Sequence, residues 1–427
     1  DITYGADWSE YFGHQPADGS GDVFFHLDAL WAHPAVTSVG IDNYMPLADW
    51  RDQDYAGGNP DGFFGPYDQK GLRDQIAAGE GFDWYYADMA ARQARIRTPI
   101  TDGTAAKPWV YRYKDIASWW GNQHYNRIGG VEAGSPTSWQ PKSKPIRFTE
   151  LGCPAVDKGP NQPNVFPDAK SSENAAPYFS SGGRSDLAQA RFLQAHYDHW
   201  DPASPHFKEA ANPVSPVYGG RMVQTAHICI WAWDARPFPA FPTAAQTWRD
   251  GENWHRGHWL NGRLSSTLTG DLFRAILNDH GLVGIDETQT GDSIAGYIVD
   301  APMTARAALE PLSKLCGITV RDDNGQLILR DEMMPGASII QLDELVLGEN
   351  STTVERTRGQ GRDIPEGIEI AFVDPFRDYQ AAVARVAPPD AASGASEAIS
   401  FAGSLETGAA EALLSDWLER RRSANET

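Results

Sequence analysis

Glu150 closes a short apolar run, Ile146 to Leu151, that Gly152 and Pro154 terminate. The pattern predicts a buried strand that stops at a loop, with a carboxylate at its carboxyl end. Asp7 and Trp8 end a similar run over residues 2–8, and Asp42 and Tyr44 lie at the end of a third over 37–46. Trp231 and Trp233 take the matching place in a fourth, residues 225–233. In parallel α/β barrels the active site is assembled from residues at the carboxyl ends of strands. A Glu in that place can serve as the nucleophile of a retaining glycosidase, which needs a second carboxyl group roughly 5–5.5 Å away as acid/base. Sugar rings stack their apolar faces on aromatic rings, so Trp8, Tyr44, Trp231 and Trp233 are candidate substrate-binding residues. Asp7 and Asp42 are candidate acceptors for sugar hydroxyls. The competing account is structural: Glu150 caps a loop, and the aromatic residues belong to the core. Arg147 and Arg236 either pair with Glu150, bind an acidic sugar, or serve the surface. No second Glu ends a strand, so the acid/base is expected upstream of residue 1 or does not exist.

Such residues need a repeating scaffold to hold them side by side. Residues 71–97 read as a helix with Trp84, Tyr85, Met89 and Ala94 on its apolar face, and Ser185 and Asp186 can cap a helix running to Trp200. Residues 49–70, 122–144 and 157–183 read as loops, the last of them long enough to suggest a functional role. Four strands, each followed by helix or loop, are the βα repeat of a (β/α)8 TIM barrel. Eight are required and four are found. Residues 1–262 are therefore expected to be the C-terminal half of a barrel, strands 5 to 8.

Composition narrows the field. A chain of 427 residues is expected to hold two or three domains. A formal charge of −21, with 36 Lys and Arg against 57 Asp and Glu, argues against wrapping nucleic acid and favours a neutral or basic ligand. Cys153, Cys229 and Cys316 are too few and too scattered for a disulfide framework or a zinc site. His196 with His199, and His255 with His258, repeat a three-residue spacing without a nearby carboxylate cluster, so no metal is expected. Neither is any cofactor, since no phosphate-binding loop or G-x-S-x-G elbow is present. No run reaches the roughly 18 apolar residues of a membrane span, and the first residues lack the basic start and apolar core of a signal peptide.

Of the 15 Trp, all but Trp417 lie before residue 263, where the chain turns aliphatic and acidic. That shift marks a change of domain. Residues 263–335 read as an α+β segment, with a helix over 271–280, a second capped by Thr304 and disturbed by Pro311, and a hairpin around Asp323-Asn324-Gly325. Residues 336–427 read as β-rich, with strands near 338–347 and 367–373, a linker over 388–394 and a last helix over 405–422.

Four runs carry a family resemblance: GIDNYMPLADWRD (40–52), KPWVYRYKDIASWW (107–120), SKPIRFTELGCPAVDKGPNQPNVF (143–166) and DAKSSENAAPYFSSG (168–182). Together they resemble the TIM-barrel domain of the large baseplate hub, megatron or host-specificity protein, of gene transfer agents and related prophage tails. The same residues are similar to clan A, mannanase-like glycoside hydrolases. That resemblance makes Glu150 the catalytic nucleophile on a seventh strand, puts Tyr44 at the sugar site from a sixth, and leaves the acid/base on a fourth strand outside this chain. GDLFRAILNDHGL (270–282), TVRDDNGQLILRD (319–331) and EIAFVDPFRDYQ (369–380) resemble tail-hub domains of long-tailed phages. The resemblance implies a multidomain virion component at the tail tip, assembled in the producing cell's cytoplasm and acting at the recipient's envelope. It implies a homotrimeric hub ring beside distal-tail and cell-wall peptidase proteins, with a barrel that binds envelope polysaccharide or peptidoglycan during attachment and DNA delivery. Whether the barrel also hydrolyses O-glycosyl bonds is left open. The alternatives are a free-standing secreted retaining glycosidase and a catalytically inactive receptor-binding barrel.

Overall fold

Why Ala6, Val39, Ile41, Ile146, Phe148 and Leu151 carry the first sheet is plain from their burial, since none has any exposed surface. In the computed structural model they lie on three parallel strands in the order β1 (Gly5–Asp7), β2 (Val39–Asn43) and β3 (Ile146–Leu151). The structure describes residues 1–168, 174–237, 240–259, 267–282, 285–287, 293–331, 365, 367–377, 379–387 and 396–423. The chain divides into two compact units, Asp1–Leu264 and Ser265–Thr427.

In the first unit β1 and β2 approach so closely that only glycine fits at position 40. A Cβ on Gly40 would lie 2.3 Å from the Tyr4 carbonyl oxygen. Beneath the sheet lies a core that includes Trp31, Trp119, Trp139, Phe192 and Trp200. Phe192, Leu193, Ala195 and Trp200 come from helix α4 (Asp186–Trp200), whose Ser185 hydroxyl accepts the Ala188 N–H as expected of a cap.

The expected fourth strand over 225–233 is not a continuous strand. The chain touches β3 at two separate bridges, Val223 with Ile146 and Ile230 with Leu151, and between them coils into a 3-10 turn, Thr225–His227. The Cys229 N–H still reaches the Phe148 carbonyl at 2.9 Å. Among the described residues the sheet is open and forms no closed barrel.

The helix expected over 71–97 is likewise interrupted. It resolves into α1 (Gln69–Asp74), a 3-10 turn (Gln75–Ala77), a two-residue strand (Trp84–Tyr85) and α2 (Met89–Ala94). Gly79 and Gly81 both take positive φ, and Arg95 ends α2 in the left-handed region. What holds this segment is ionic: Asp49 on the loop after β2 accepts from Arg51, Tyr86, Arg95 and Arg97. Arg95 also pairs with Asp54, Arg97 with Asp61, and Arg92 with Glu80.

Lys114, ahead of α3 (Ile116–Gly121), is buried and donates from Nζ to the carbonyls of Gln75 (3.0 Å) and Ala78 (3.2 Å). Burial brings its pKa down to about 7, against the opposing pull of Glu80, Asp83 and Asp61. An unfolded lysine keeps its proton to about pH 10.4, so between roughly 7 and 10 the unfolded chain binds more protons. This group's contribution to stability therefore rises with pH across that window, by at most about 1.4 kcal/mol per pH unit. Urea unfolding at about pH 7 and about pH 9.5 should show a smaller rise in Lys114→Met than in wild type. Parallel responses would mean that Lys114 is charged in the fold.

The second unit pairs β5 (Ile318–Asp323) with β6 (Gln326–Asp331) through Asn324 and Gly325, both at positive φ, as the hairpin signal predicts. β4 (Ile285–Glu287) runs parallel to β6. A second sheet takes the order Gly296–Tyr297, β9 (Ser396–Ser404), β7 (Gly367–Asp374), β8 (Gln380–Val386). Helices α5 (Thr269–Asp279), α6 (Ala305–Cys316) and α7 (Thr407–Ser423) share one core with it through Phe273, Leu312, Ile370, Phe401 and Trp417. α6 is capped by the Thr304 hydroxyl and continues through Pro311. The strand expected near 338–347, the linker over 388–394 and the subdivision at 335/336 lie outside the described residues.

Candidate functional site

Register sets the site. Asp7 on β1 is opposite Asp42 on β2, and Asp42 is opposite Glu150 on β3, so three carboxylates cross the carboxyl ends of three adjacent strands. Parallel neighbours in register point to the same face of a sheet. The Tyr44 hydroxyl donates to Glu150 Oε2 at 2.6 Å, and the Thr149 hydroxyl donates to Asp42 Oδ1 at 2.7 Å. Asp42 and Thr149 meet over Gly5, where a Cβ would lie 3.1 Å from both Asp42 Oδ1 and Thr149 Oγ1. Asp7 Oδ1 accepts from the backbone N–H and hydroxyl of Ser9, which fixes the loop leaving β1.

The site's electrostatics are one-signed. Burial raises the Glu150 carboxyl above the usual carboxylate range; the Tyr44 hydrogen bond opposes the rise, and the charges of Asp42 and Asp7 add to it. Asp42 is raised by burial and by Asp7, against the Thr149 hydrogen bond. Burial, and then the bond and charge of Glu150, push the Tyr44 hydroxyl far up, so it remains a donor. Arg147 gives its guanidinium to Gln224 and Asp1, and Arg236 binds Asp234 and Asp250 while lying over the Phe241 ring. Neither pairs with Glu150.

The aromatic residues separate into two groups. Tyr44 is only 8% exposed, and Trp8 packs its ring on Tyr113 with centroids 4.7 Å apart. Trp231 and Trp233 are 45% and 75% exposed. The Trp231 N–H reaches the Leu151 carbonyl at 3.0 Å, and the Ala232 N–H reaches the His258 carbonyl at 2.9 Å. These bonds hold Trp231 beside the residue after Glu150; no described contact joins Trp233 to the carboxylates. Gly152 allows the approach, because a Cβ there would lie 2.5 Å from the Trp231 carbonyl oxygen. Gly152→Ala should push the 230–232 segment off β3 at a cost of about 1–3 kcal/mol. Urea unfolding of that variant checks this, and wild-type stability would show that the backbone contact is slack.

Two contributors escaped the sequence pattern. Thr149 looked like an ordinary strand residue, and nothing in the spacing signals its bond to Asp42. His258 was weighed only as half of a metal pair. Its buried ring lies 5.5 Å from that of Tyr44 and 4.1 Å from that of Phe166, and Nε2 donates to the Pro163 carbonyl at 2.9 Å. Burial lowers its pKa to about 4, so the ring is neutral. No group of three or more His, Cys, Asp or Glu side chains among the described residues is arranged to hold a metal ion. No described helix is long and apolar enough to cross a membrane.

Residues 304–427 match the model of a putative phage tail protein family. Among solved structures, a chain of the virion of a native gene transfer agent (GTA) particle is 27% identical over 42% of this chain, with a TM-score of 0.37. The match spans 40% of that chain's length. No curated protein matches. Residues 1–242, more than half of the chain, match the model of the GTA TIM-barrel-like domain. The chain is a tail component of gene-transfer-agent or phage type and belongs to the GTA TIM-barrel-like family.

Proposed function

We propose that the first unit is a glycan-binding module of the tail that engages cell-envelope polysaccharide or peptidoglycan at the Asp7–Asp42–Glu150 edge. The observation that carries this is the Tyr44–Glu150 hydrogen bond at 2.6 Å, with Asp42 in register beside it and the exposed Trp231 anchored to the next residue of β3. Carboxylates and hydroxyls can accept and donate to sugar hydroxyls, and an exposed indole offers the stacking surface. Where the glycan is also cleaved, a Glu150 oxygen attacks the anomeric carbon as the bond to the leaving oxygen breaks. A carboxylic acid protonates that oxygen, and water then releases the sugar from Glu150. Tyr44 holds one Glu150 oxygen and leaves the other for attack.

The second unit, in this proposal, is a subunit of the tail-tip hub ring, a homotrimer that contacts distal-tail and peptidase proteins. Its likeness to phage tail proteins supports that role.

The test is incubation of purified envelope polysaccharide and peptidoglycan with the chain and with its Glu150→Gln variant, reading both binding and sugar release. Release by wild type alone makes the module a retaining hydrolase. Binding by both with release by neither makes it a recognition module. Absence of binding overturns the proposal.

A further inference from the structure

Strict alternation along β3 would turn Glu150 away from the other carboxylates. Ile146 and Phe148 face the core with no exposed surface, while Arg147 and Thr149 face the other side and are partly exposed. Glu150 has the parity of Ile146 and Phe148, and a strand exposes every second residue on one face. The pairing with β2 does not continue evenly, however. Ile41 is opposite Phe148, but Asp42 is opposite Glu150, so Thr149 is an extra residue without a counterpart on β2. That bulge carries Glu150 to the polar face and returns Leu151 to the core.

We propose that Thr149 and Asp42 act as a positioning pair for Glu150, the hydroxyl-to-carboxylate bond pinning the bulge and holding the Asp42 charge beside the Glu150 carboxyl. The pair's importance to glycan chemistry rests on the function proposed above; its geometry does not. The bond is 2.7 Å long and joins residues 107 positions apart, so it ties β2 to β3 at the irregular step itself. Glu150 is faced by Tyr44, Asp42 and Asp7, and Asp42 by Thr149, Asp7 and the more distant Tyr4. Among these groups there is no cation to offset the carboxylate charges. Asp42 therefore adds to burial in raising the pH at which Glu150 becomes ionised, a property that matters equally to a nucleophile and to a hydroxyl acceptor.

Carboxyl-labelled Glu and Asp, followed by carbon NMR through a pH titration of the glycan-free chain, read this directly. Asp42→Asn should lower the Glu150 midpoint by about half a pH unit or more, because a neighbouring like charge is gone. Thr149→Ser should keep both midpoints. Thr149→Val should raise that of Asp42, which loses a hydrogen bond to its charged form. A Glu150 midpoint unmoved in Asp42→Asn, or a Thr149→Val variant that titrates as Thr149→Ser does, overturns the proposal. The serine variant retains the hydroxyl, so a folding defect confined to valine leaves the Asp42→Asn comparison decisive. Since no glycan is present, the positioning role and the glycan function fail separately.

Discussion

Where the first unit cleaves envelope glycan as proposed, replacing Glu150 with Gln is expected to cut release of reducing sugar at least about a thousandfold, while binding stays within a few-fold of wild type. Gln preserves the shape of the side chain and still offers an oxygen to the Tyr44 hydroxyl, so the bond at 2.6 Å has a substitute. What disappears is the anion that forms the glycosyl bond in the proposed reaction, and a thousandfold loss corresponds to about 4 kcal/mol of transition-state stabilisation. Binding should survive because the contributors proposed for it, the exposed Trp231 surface and the acceptors Asp7 and Asp42, are untouched. Stopped assays of sugar release, beside binding isotherms on the same polysaccharide, separate the two effects. Equal release by both chains would remove Glu150 from the chemistry.

Asp49→Asn should cost the first unit about 3–5 kcal/mol, the range for breaking a buried ion pair from one side. Asp49 is 5% exposed and accepts from the Tyr86 hydroxyl at 2.5 Å, Arg95 Nε at 3.2 Å and Arg97 at 3.2 Å, with Arg51 at 3.4 Å. In wild type the guanidiniums of Arg51, Arg92, Arg95 and Arg97 are balanced by Glu80, Asp49, Asp54 and Asp61. Asn keeps the volume and one acceptor but leaves an uncompensated cation in a region where the Arg51 side chain is only 3% exposed. The loss is therefore electrostatic rather than steric. Urea unfolding of the two chains measures it, and a loss under about 1 kcal/mol would mean that water screens the cluster. Because the network fastens residues 84–97 to the loop that follows Tyr44, the same variant should loosen that loop.

How much of this was legible in the residues depends on how local the cause is. Strand ends at Asp7, Asp42 and Glu150 follow from apolar runs broken by Gly, Pro or polar groups, and the 318–331 hairpin follows from Asn324-Gly325. Ser185 and Thr304 cap their helices as local chemistry dictates. The broken 71–97 segment was not legible, because its apolar spacing is helical while Gly79, Gly81 and the internal Arg92–Glu80 pair bend it, and the salt bridges of Arg95 and Arg97 to Asp49 hold it on a distant loop. The 225–233 run has strand composition, yet a 3-10 turn over Thr225–His227 interrupts it, and it bridges β3 only at Val223 just before it and Ile230 within it. Neither could the bulge be read, since its partners Thr149 and Asp42 are far apart in the chain. Alternation alone would have sent Glu150 into the core.

The order of the first sheet also bears on how the protein is made. β2 lies between β1 and β3, and β3 takes its other backbone partners from Met222, Cys229 and Trp231, so both flanks of β3 join segments far apart in the chain. Parallel sheets with such high contact order fold slowly, because distant chain ends must meet before any contact rewards them. While the ribosome is still short of Trp231, Glu150 has a strand but only one flank. Half-made chains thus lack the Trp231 flank of the proposed site, which is complete only once the chain has been made past Trp231.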